Sequence, residues 1–275
     1  MASRRPLFIQ KLLGHKYAIA AQRLGDDAAL PWSNLGYWQQ QHSNYPLAGQ
    51  SLADHAAQAV QLNSSDRVLD LGCGQGASLL HWRNAYNIQQ LSAVDLQAQC
   101  IANIQQHLPQ VASYCGSFTQ LQQLKFLNKF DVVLCIDAAY HSPLPAFLDS
   151  VGAVLNRNGR LAFHYLIWAD SWQHCAQTQQ LRYRYLLKTA DVAWQHLMHH
   201  QQLEHTLEQH GFDDIVIKDI SEAVLQGFAQ YRTTQQFEKK HFDMAQLKID
   251  LTAKLCRKLY NDGLVRYVQV SAVKR

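Results

Sequence analysis

Long apolar runs are missing from this sequence of 275 residues. No segment reaches the roughly 18 uninterrupted apolar residues that a membrane-spanning helix needs, so we predict no membrane span. Two arginines near the start suggest an export signal, but Lys11 and Lys16 interrupt the apolar core that such a signal requires. We interpret this start as a mature amphipathic helix, with an organelle transit peptide as the alternative, and expect a cytoplasmic protein.

Closely paired cysteines are also missing. The chain has six cysteines but no C-x-x-C pair. Three of the six lie within or at the ends of short apolar runs, which is typical of reduced core residues rather than of a disulfide framework or a zinc site. His196, His199 and His200 share helical spacings, but no carboxylate partner is evident, so we predict a solvated polar face and no metal site.

Positive charge is unevenly distributed along the chain. Residues 24–66 contain no Lys or Arg, whereas residues 221–275 contain ten Lys or Arg residues against five Asp or Glu. A basic region of this kind is compatible with an anionic partner such as nucleic acid, but scattered charges on helices are more typical of a solvated face. We therefore expect no nucleic-acid partner, and oligomeric state is not readable from the sequence.

Short apolar runs recur from residue 66 onward, and helical spacing separates most of them. This alternation predicts a mostly parallel sheet covered on both faces, a doubly wound Rossmann-like α/β fold with seven strands. We expect the last strand to be an antiparallel edge. The predicted strands are 67–74, 91–95, 111–115, 130–137, 159–168, 213–220 and 264–273, and the helices between them are 76–87, 97–107 and 144–155.

Three helical pieces do not follow this rhythm. They cover residues 1–59, about 169–210 and about 221–260. Ligands of open α/β sheets bind beyond the carboxyl ends of the strands, so we expect the three pieces to form a helical lid over that edge. The remainder of residues 60–275 would form the main domain.

A glycine-rich turn follows the first predicted strand. The stretch VLDLGCGQGASLL places Asp70 at the strand end and then alternates Gly72, Gly74 and Gly76 before a helix begins. Such glycines let the backbone turn sharply and approach a ligand at the helix N-terminus. Nineteen residues after Gly76, Asp95 ends the second strand, where a carboxylate can accept both hydroxyls of a ribose.

The spacing of this turn is not the G-x-G-x-x-G of dinucleotide-binding proteins. The pattern D-x-G-x-G-x-G resembles motif I of class I methyltransferases, which use S-adenosylmethionine. The resemblance implies that Asp70 and the three glycines hold the methionine portion of this cofactor and that Asp95 with Leu96 holds the ribose. It also implies that Ser117 and Phe118 lie at the adenine, although relatives often carry an acidic residue where this sequence has Ser117.

The loop CIDAAYHSP after the fourth strand resembles that of small-molecule methyltransferases related to sterol and tocopherol C-methyltransferases and sugar O-methyltransferases. The resemblance implies that Ile136 contacts the cofactor and that His141 is a general base. Tyr140 would contact the substrate, and we expect the same of Trp168. NLGYW, residues 34–38, resembles the approach segment of these enzymes, in which Tyr37 or its neighbour would close over the cofactor.

The sequence therefore predicts an S-adenosylmethionine-dependent methyltransferase acting on a small organic molecule. We expect transfer to a hydroxyl oxygen, with carbon or nitrogen open, because a base is useful only when the nucleophile carries a proton. Histidine titrates near neutral pH and suits that role, although His141 could instead support the loop. Alternatives are methylation of RNA or another macromolecule, and a cofactor-binding partner protein without catalysis. Asp170, after the fifth strand, either orients His141 or caps a helix.

Overall fold

Seven of the apolar runs pair into one sheet, as their alternation with helices predicts. The computed structural model describes residues 19–39, 44–235 and 243–275. The strand order is β3-β2-β1-β4-β5-β7-β6. Strands β1 to β5 run parallel to their neighbours among themselves, which confirms the predicted fold class. The strands are β1 Arg67–Leu71, β2 Gln90–Asp95, β3 Ala112–Cys115, β4 Phe130–Cys135, β5 Leu155–Trp168, β6 Phe212–Asp219 and β7 Val265–Lys274.

Within the described residues, eight α-helices accompany the sheet. Asn44 starts the first by accepting a hydrogen bond from the Leu47 N–H, and Gly263 ends the last in the left-handed conformation, the usual signals of helix termini. The helices are α1 Tyr45–Ala59, α2 Ala77–Ala85, α3 Ala98–His107, α4 Leu144–Val154, α5 Gln177–Thr189, α6 His200–Gln209, α7 Gly227–Thr234 and α8 Met244–Asp262. None of these helices is both long and apolar enough to cross a membrane.

Strand β7 is antiparallel, but the expectation that it forms an edge is wrong. It pairs with β5 on one side and β6 on the other. Tyr267, Val268 and Val270 are all buried, so both faces of β7 are covered. Such burial is expected for a strand in the interior of a sheet. Strand β6 is the exposed edge instead.

Two helices inside the predicted lid pieces cover the sheet rather than its carboxyl edge. Helix α1 packs against β5 and β7, and α6 packs against β6. In α6 the apolar residues Leu203 and Leu207 are buried against the sheet. For the rest of the three pieces, a lid over that edge stays a prediction. Residues 1–18, 40–43 and 236–242, which the lid prediction included, lie outside the described residues.

The direction of strand order reverses between β1 and β4. Strand β1 pairs with β2 on one side and β4 on the other, and helices leave β1 and β4 toward opposite faces of a doubly wound sheet. This reversal opens a crevice at the carboxyl ends of both strands, the usual ligand position in open α/β sheets. The glycine turn and the CIDAAYHSP loop meet there.

Candidate active site

The glycine turn is shaped by three residues with positive φ. Gly72, Gly74 and Gly76 have φ of 67°, 53° and 95°, and Gly76 caps helix α2. A Cβ atom on Gly72 would lie 2.8 Å from the Ala138 Cβ, and one on Gly74 would lie 2.6 Å from the Ser33 Oγ. Glycine is therefore required at these positions both by conformation and by the close approach of neighbouring segments.

Asp70 is buried at the end of β1. Its Oδ2 accepts a hydrogen bond from the Trp82 indole at 2.7 Å, and Ser78 also bonds to its carboxylate. Burial raises the pKa of Asp70 to about 6. The side chain thus ties the strand to helix α2, and its charge is poorly solvated until a cation is near.

Asp95 joins the second strand to the glycine turn. Its Oδ2 accepts from the Gly74 N–H and its Oδ1 from the Gln97 N–H, both at 2.9 Å. Burial raises the pKa of this carboxyl, which is only 6% exposed. Each carboxylate oxygen has a second lone pair, so Asp95 can hold the turn and still accept hydrogen bonds from a ligand.

A cavity of about 1530 Å³ lies above these residues. It exceeds the roughly 1,000 Å³ upper range of pockets for one small ligand, so it has room for a cofactor and an acceptor together. Most of the predicted site residues line it, namely Asp70, Gly72, Gly74, Asp95, Leu96, Ser117, Phe118, Ile136, Tyr140 and His141. The fold therefore brings together predicted site residues from the ends of four strands.

The predicted adenine end of this cavity combines a polar residue, Ser117, with an aromatic one, Phe118. Ser117 bonds to the Thr119 hydroxyl at 2.8 Å. Phe118 meets the ring of Phe147 edge to face and also lines the cavity, so it belongs both to the core and to the site. Leu96 is 63% exposed and lines the same cavity.

His141 lies on a short helical turn after β4. Its Nδ1 is 3.1 Å from the carbonyl oxygen of Asp191, in the segment after α5. A carbonyl only accepts, so Nδ1 carries the proton and the lone pair of the neutral imidazole lies on Nε2. Asp170 begins a short helix elsewhere, and the carbonyl that orients His141 comes from Asp191.

Three predicted site residues do not line the cavity. Tyr37 packs its ring on His55 with centroids 3.8 Å apart, and Trp168 stacks on Trp172 at 3.7 Å. Both rings gain burial and an aromatic partner away from the cavity, which favours these positions. Gly76 belongs to the turn but faces Ile104, which a Cβ atom on Gly76 would meet.

The sequence did not reveal Tyr267 or Leu35 as site residues, although both line the cavity. Both donate to Asp137, Tyr267 through its hydroxyl at 2.7 Å and Leu35 through its N–H at 2.8 Å. Helix α8 belongs to a piece that was expected to lie over this edge, and it contributes an apolar surface through Leu247, Leu251 and Leu255. Their helical spacing predicts an apolar face, but no local signal indicates which residues border the cavity.

The charges of the cavity match S-adenosylmethionine. The sheet-end lining, formed by residues within 70–78, 95–100, 117–119 and 136–143, contains Asp70, Asp95 and Asp137 and no Lys or Arg. S-adenosylmethionine carries a sulfonium and an ammonium, which carboxylates favour, whereas a pyrophosphate would be repelled. The described residues contain no group of three His, Cys, Asp or Glu side chains placed to hold a metal ion.

Comparison with known proteins supports the same class. Residues 68–159 match the family described as a methyltransferase domain. The erythromycin 3''-O-methyltransferase of Saccharopolyspora erythraea is 30% identical over 147 residues, which cover 50% of this chain and 46% of that protein. The chain thus matches less than half the length of this relative.

Two solved structures share the fold over almost the whole chain. The cyclopropane synthase MmaA2 of Mycobacterium tuberculosis has a TM-score of 0.74 at 16% identity, covering 98% of this chain and 99% of that one. Geranyl diphosphate C-methyltransferase of Streptomyces coelicolor, solved with S-adenosyl-L-homocysteine, has a TM-score of 0.68 at 13% identity, covering 94% and 97%. Both structures show the doubly wound fold, and the family match over residues 68–159 agrees with the predicted class I methyltransferase domain.

Proposed function

We propose that this chain, built on an S-adenosylmethionine-dependent methyltransferase domain, methylates a hydroxyl oxygen of a small organic acceptor, with His141 as general base. The observation that carries the proposal is that His141 and the glycine turn line one cavity, with the proton of His141 directed to the Asp191 carbonyl. The lone pair on Nε2 then suits removal of a hydroxyl proton. The relative from Saccharopolyspora erythraea is named as an O-methyltransferase.

When bound, S-adenosylmethionine supplies an electrophilic methyl group, and the chain needs mainly to position and enclose the reactants. We assign the methionine portion to Asp70 and the backbone of Gly72 and Gly74, and the ribose to Asp95 beside Leu96. Ser117 and Phe118 would hold the adenine, and Ile136 would pack against the cofactor. Tyr140 would contact the acceptor next to His141, because the two rings are 4.5 Å apart.

Calorimetry with S-adenosylhomocysteine tests the cofactor assignment. Asp95→Ala should weaken binding about 100-fold or more, because it removes hydrogen bonds to the ligand and releases the Gly74 N–H. Asp27→Ala changes an exposed carboxylate and should leave affinity unchanged. No binding by the wild type, or equal affinity of the two variants, would contradict the assignment.

Transfer of labelled methyl groups from S-adenosylmethionine to a panel of small hydroxyl compounds tests the reaction. With the first acceptor found, His141→Ala should lower turnover about 100-fold, the low end of general-base effects, and change S-adenosylhomocysteine affinity less than about two-fold. Equal losses of turnover and affinity would make His141 structural. Cofactor binding without transfer to any compound would favour a non-catalytic partner, and RNA binding with a steep salt dependence would favour a macromolecular acceptor.

Carbon is the second candidate for the methylated atom. It is favoured by apolar side chains of α7 and α8 that line the cavity, among them Phe228, Leu247 and Leu251, and the Streptomyces coelicolor protein is named as a C-methyltransferase. The position of the label in the product, determined by mass spectrometry and NMR, distinguishes oxygen from carbon. A product methylated only at carbon would overturn the oxygen assignment.

A further inference from the structure

Asp137 has an unusual backbone and an unusual set of partners. Its φ is 53°, in the left-handed region that residues other than glycine rarely adopt. Its Oδ1 accepts from the hydroxyls of Tyr140 and Tyr267 at 2.8 and 2.7 Å, and its Oδ2 accepts from the Leu35 N–H. One buried carboxylate thus joins the loop after β4, strand β7 and the approach segment around the cavity.

The left-handed backbone of Asp137 is supported from behind by a buried histidine. The Asp137 N–H donates to Nδ1 of His164 on β5 at 3.2 Å. Nδ1 can accept only if the ring proton is on Nε2, which is 3.4 Å from Oε1 of Gln269. The Gln269 amide then donates to the backbone oxygen of His55 at 3.2 Å. We call His164, Gln269 and the His55 carbonyl the buried chain.

Burial keeps His164 neutral, against the opposing effect of the hydrogen bond to Gln269. Burial lowers the pKa of His164 to about 3, so the ring is an imidazole with one donor and one acceptor nitrogen at neutral pH. A protonated ring would present a second N–H to the Asp137 N–H and break the support. The arrangement therefore depends on one tautomer, fixed by Gln269 on the far side.

We propose that His164 is a positioning residue of this site, which holds Asp137 in the left-handed conformation so that its carboxylate fixes Tyr140, Tyr267 and the approach segment at Leu35. This inference rests on the proposed function and assigns a role to a residue that touches neither cofactor nor acceptor. A histidine that merely filled the core would influence stability but not ligand binding. A positioning role and a packing role therefore predict different S-adenosylhomocysteine affinities for the double variant of His164 and Asp137.

The test measures S-adenosylhomocysteine affinity by calorimetry in His164→Leu, His164→Asn, Asp137→Ala and the double variant His164→Leu/Asp137→Ala. Leucine removes the acceptor and should weaken binding about ten-fold, the effect of one buried hydrogen bond. Asparagine can place an oxygen near Nδ1 and should restore affinity to within about two-fold of the wild type. Because His164 acts through Asp137, adding His164→Leu to Asp137→Ala should change affinity less than about two-fold.

Leu161→Ala is the matched control for packing. It truncates a fully buried residue of the same strand that bonds to no residue of the site. It should lower stability and leave affinity unchanged. Equal affinities of the asparagine and leucine variants, additive effects in the double variant, or the same affinity loss in Leu161→Ala would each overturn the positioning role.

NMR of histidine-labelled wild type tests the bond itself and needs neither a variant nor an acceptor. His164 should remain the Nε2–H tautomer from pH 5 to 9 by this account. An Nδ1–H tautomer would overturn the proposal, since it cannot accept from Asp137. Failure of the wild type to bind S-adenosylhomocysteine would contradict the cofactor assignment instead, so the two failures are distinguishable.

Discussion

The two ends of the cavity differ in charge and in the way they are built. The sheet-end lining contains three aspartates and no Lys or Arg, whereas the lid lining, formed by residues within 186–192 and 243–259, contains four lysines and two aspartates. The sheet end is held by backbone turns and buried carboxylates, but the lid lining consists mainly of side chains on α8. Under the proposed function, the cationic cofactor would have a fixed partner, while the acceptor would meet a surface that substitution can change without disturbing the sheet.

The sheet end was predictable because its signals are local. The alternation of strands and helices located every strand start except that of β5 to within a residue, and the glycine turn with Asp95 lies within 26 residues of Asp70 in the printed sequence. Positive φ and close backbone approach select glycine directly. The position of these residues at the cavity could thus be predicted before any tertiary contact was known, and their binding roles stay a prediction.

The rest depends on contacts between distant segments. Asp137 meets Leu35 across 102 residues and Tyr267 across 130. Tyr37 was expected at the cavity, but its ring packs on His55, 18 residues further along the chain, which its local sequence does not indicate. Trp168 was also expected there and instead stacks on Trp172, a neighbour in its own segment. The piece that contains α8 was expected over the carboxyl edge, but its helical periodicity does not say which of its residues border the cavity. Such pairings are decided by packing of the whole fold.

The largest expected effect compares a glycine of the sheet end with one outside the site. Gly72→Ala should lower the free energy of unfolding by about 3 kcal/mol, since a left-handed alanine is strained and its Cβ would lie 2.8 Å from that of Ala138. Gly211 has a φ of 81° with no neighbour within 4 Å, so Gly211→Ala should cost only about 1–2 kcal/mol. Urea denaturation measures both, and equal losses would mean that close approach is not the constraint at the turn.

The next effect tests the charge of the sheet end. Burial raises the pKa of Asp70 to about 6, above the value of about 4 in an unfolded chain. Between these values the folded chain holds a proton that the unfolded chain has lost, so this residue makes stability fall as pH rises. Asp70→Asn cannot ionise, and its stability relative to wild type should increase by about 2–3 kcal/mol from pH 4 to pH 7.

Thermal or urea unfolding across this pH range measures the difference between the two curves. The exposed Asp27→Asn serves as the control and should follow the wild-type curve. Parallel curves for wild type and Asp70→Asn would show that folding does not raise the pKa of Asp70. The same variant should bind S-adenosylmethionine more weakly, because the favourable carboxylate beside the cation is gone.

The smallest effect belongs to the lid. Leu251 is 56% exposed on α8 and lines the cavity, so Leu251→Gln should change the free energy of unfolding by less than about 0.5 kcal/mol. Affinity for S-adenosylhomocysteine should also be unchanged, because the sheet end is untouched. The KM of the acceptor should rise about five-fold, the effect of about 1 kcal/mol of lost apolar contact. A change in cofactor affinity with a constant acceptor KM would reverse the assignment of the two ends, since it would place the cofactor against α8.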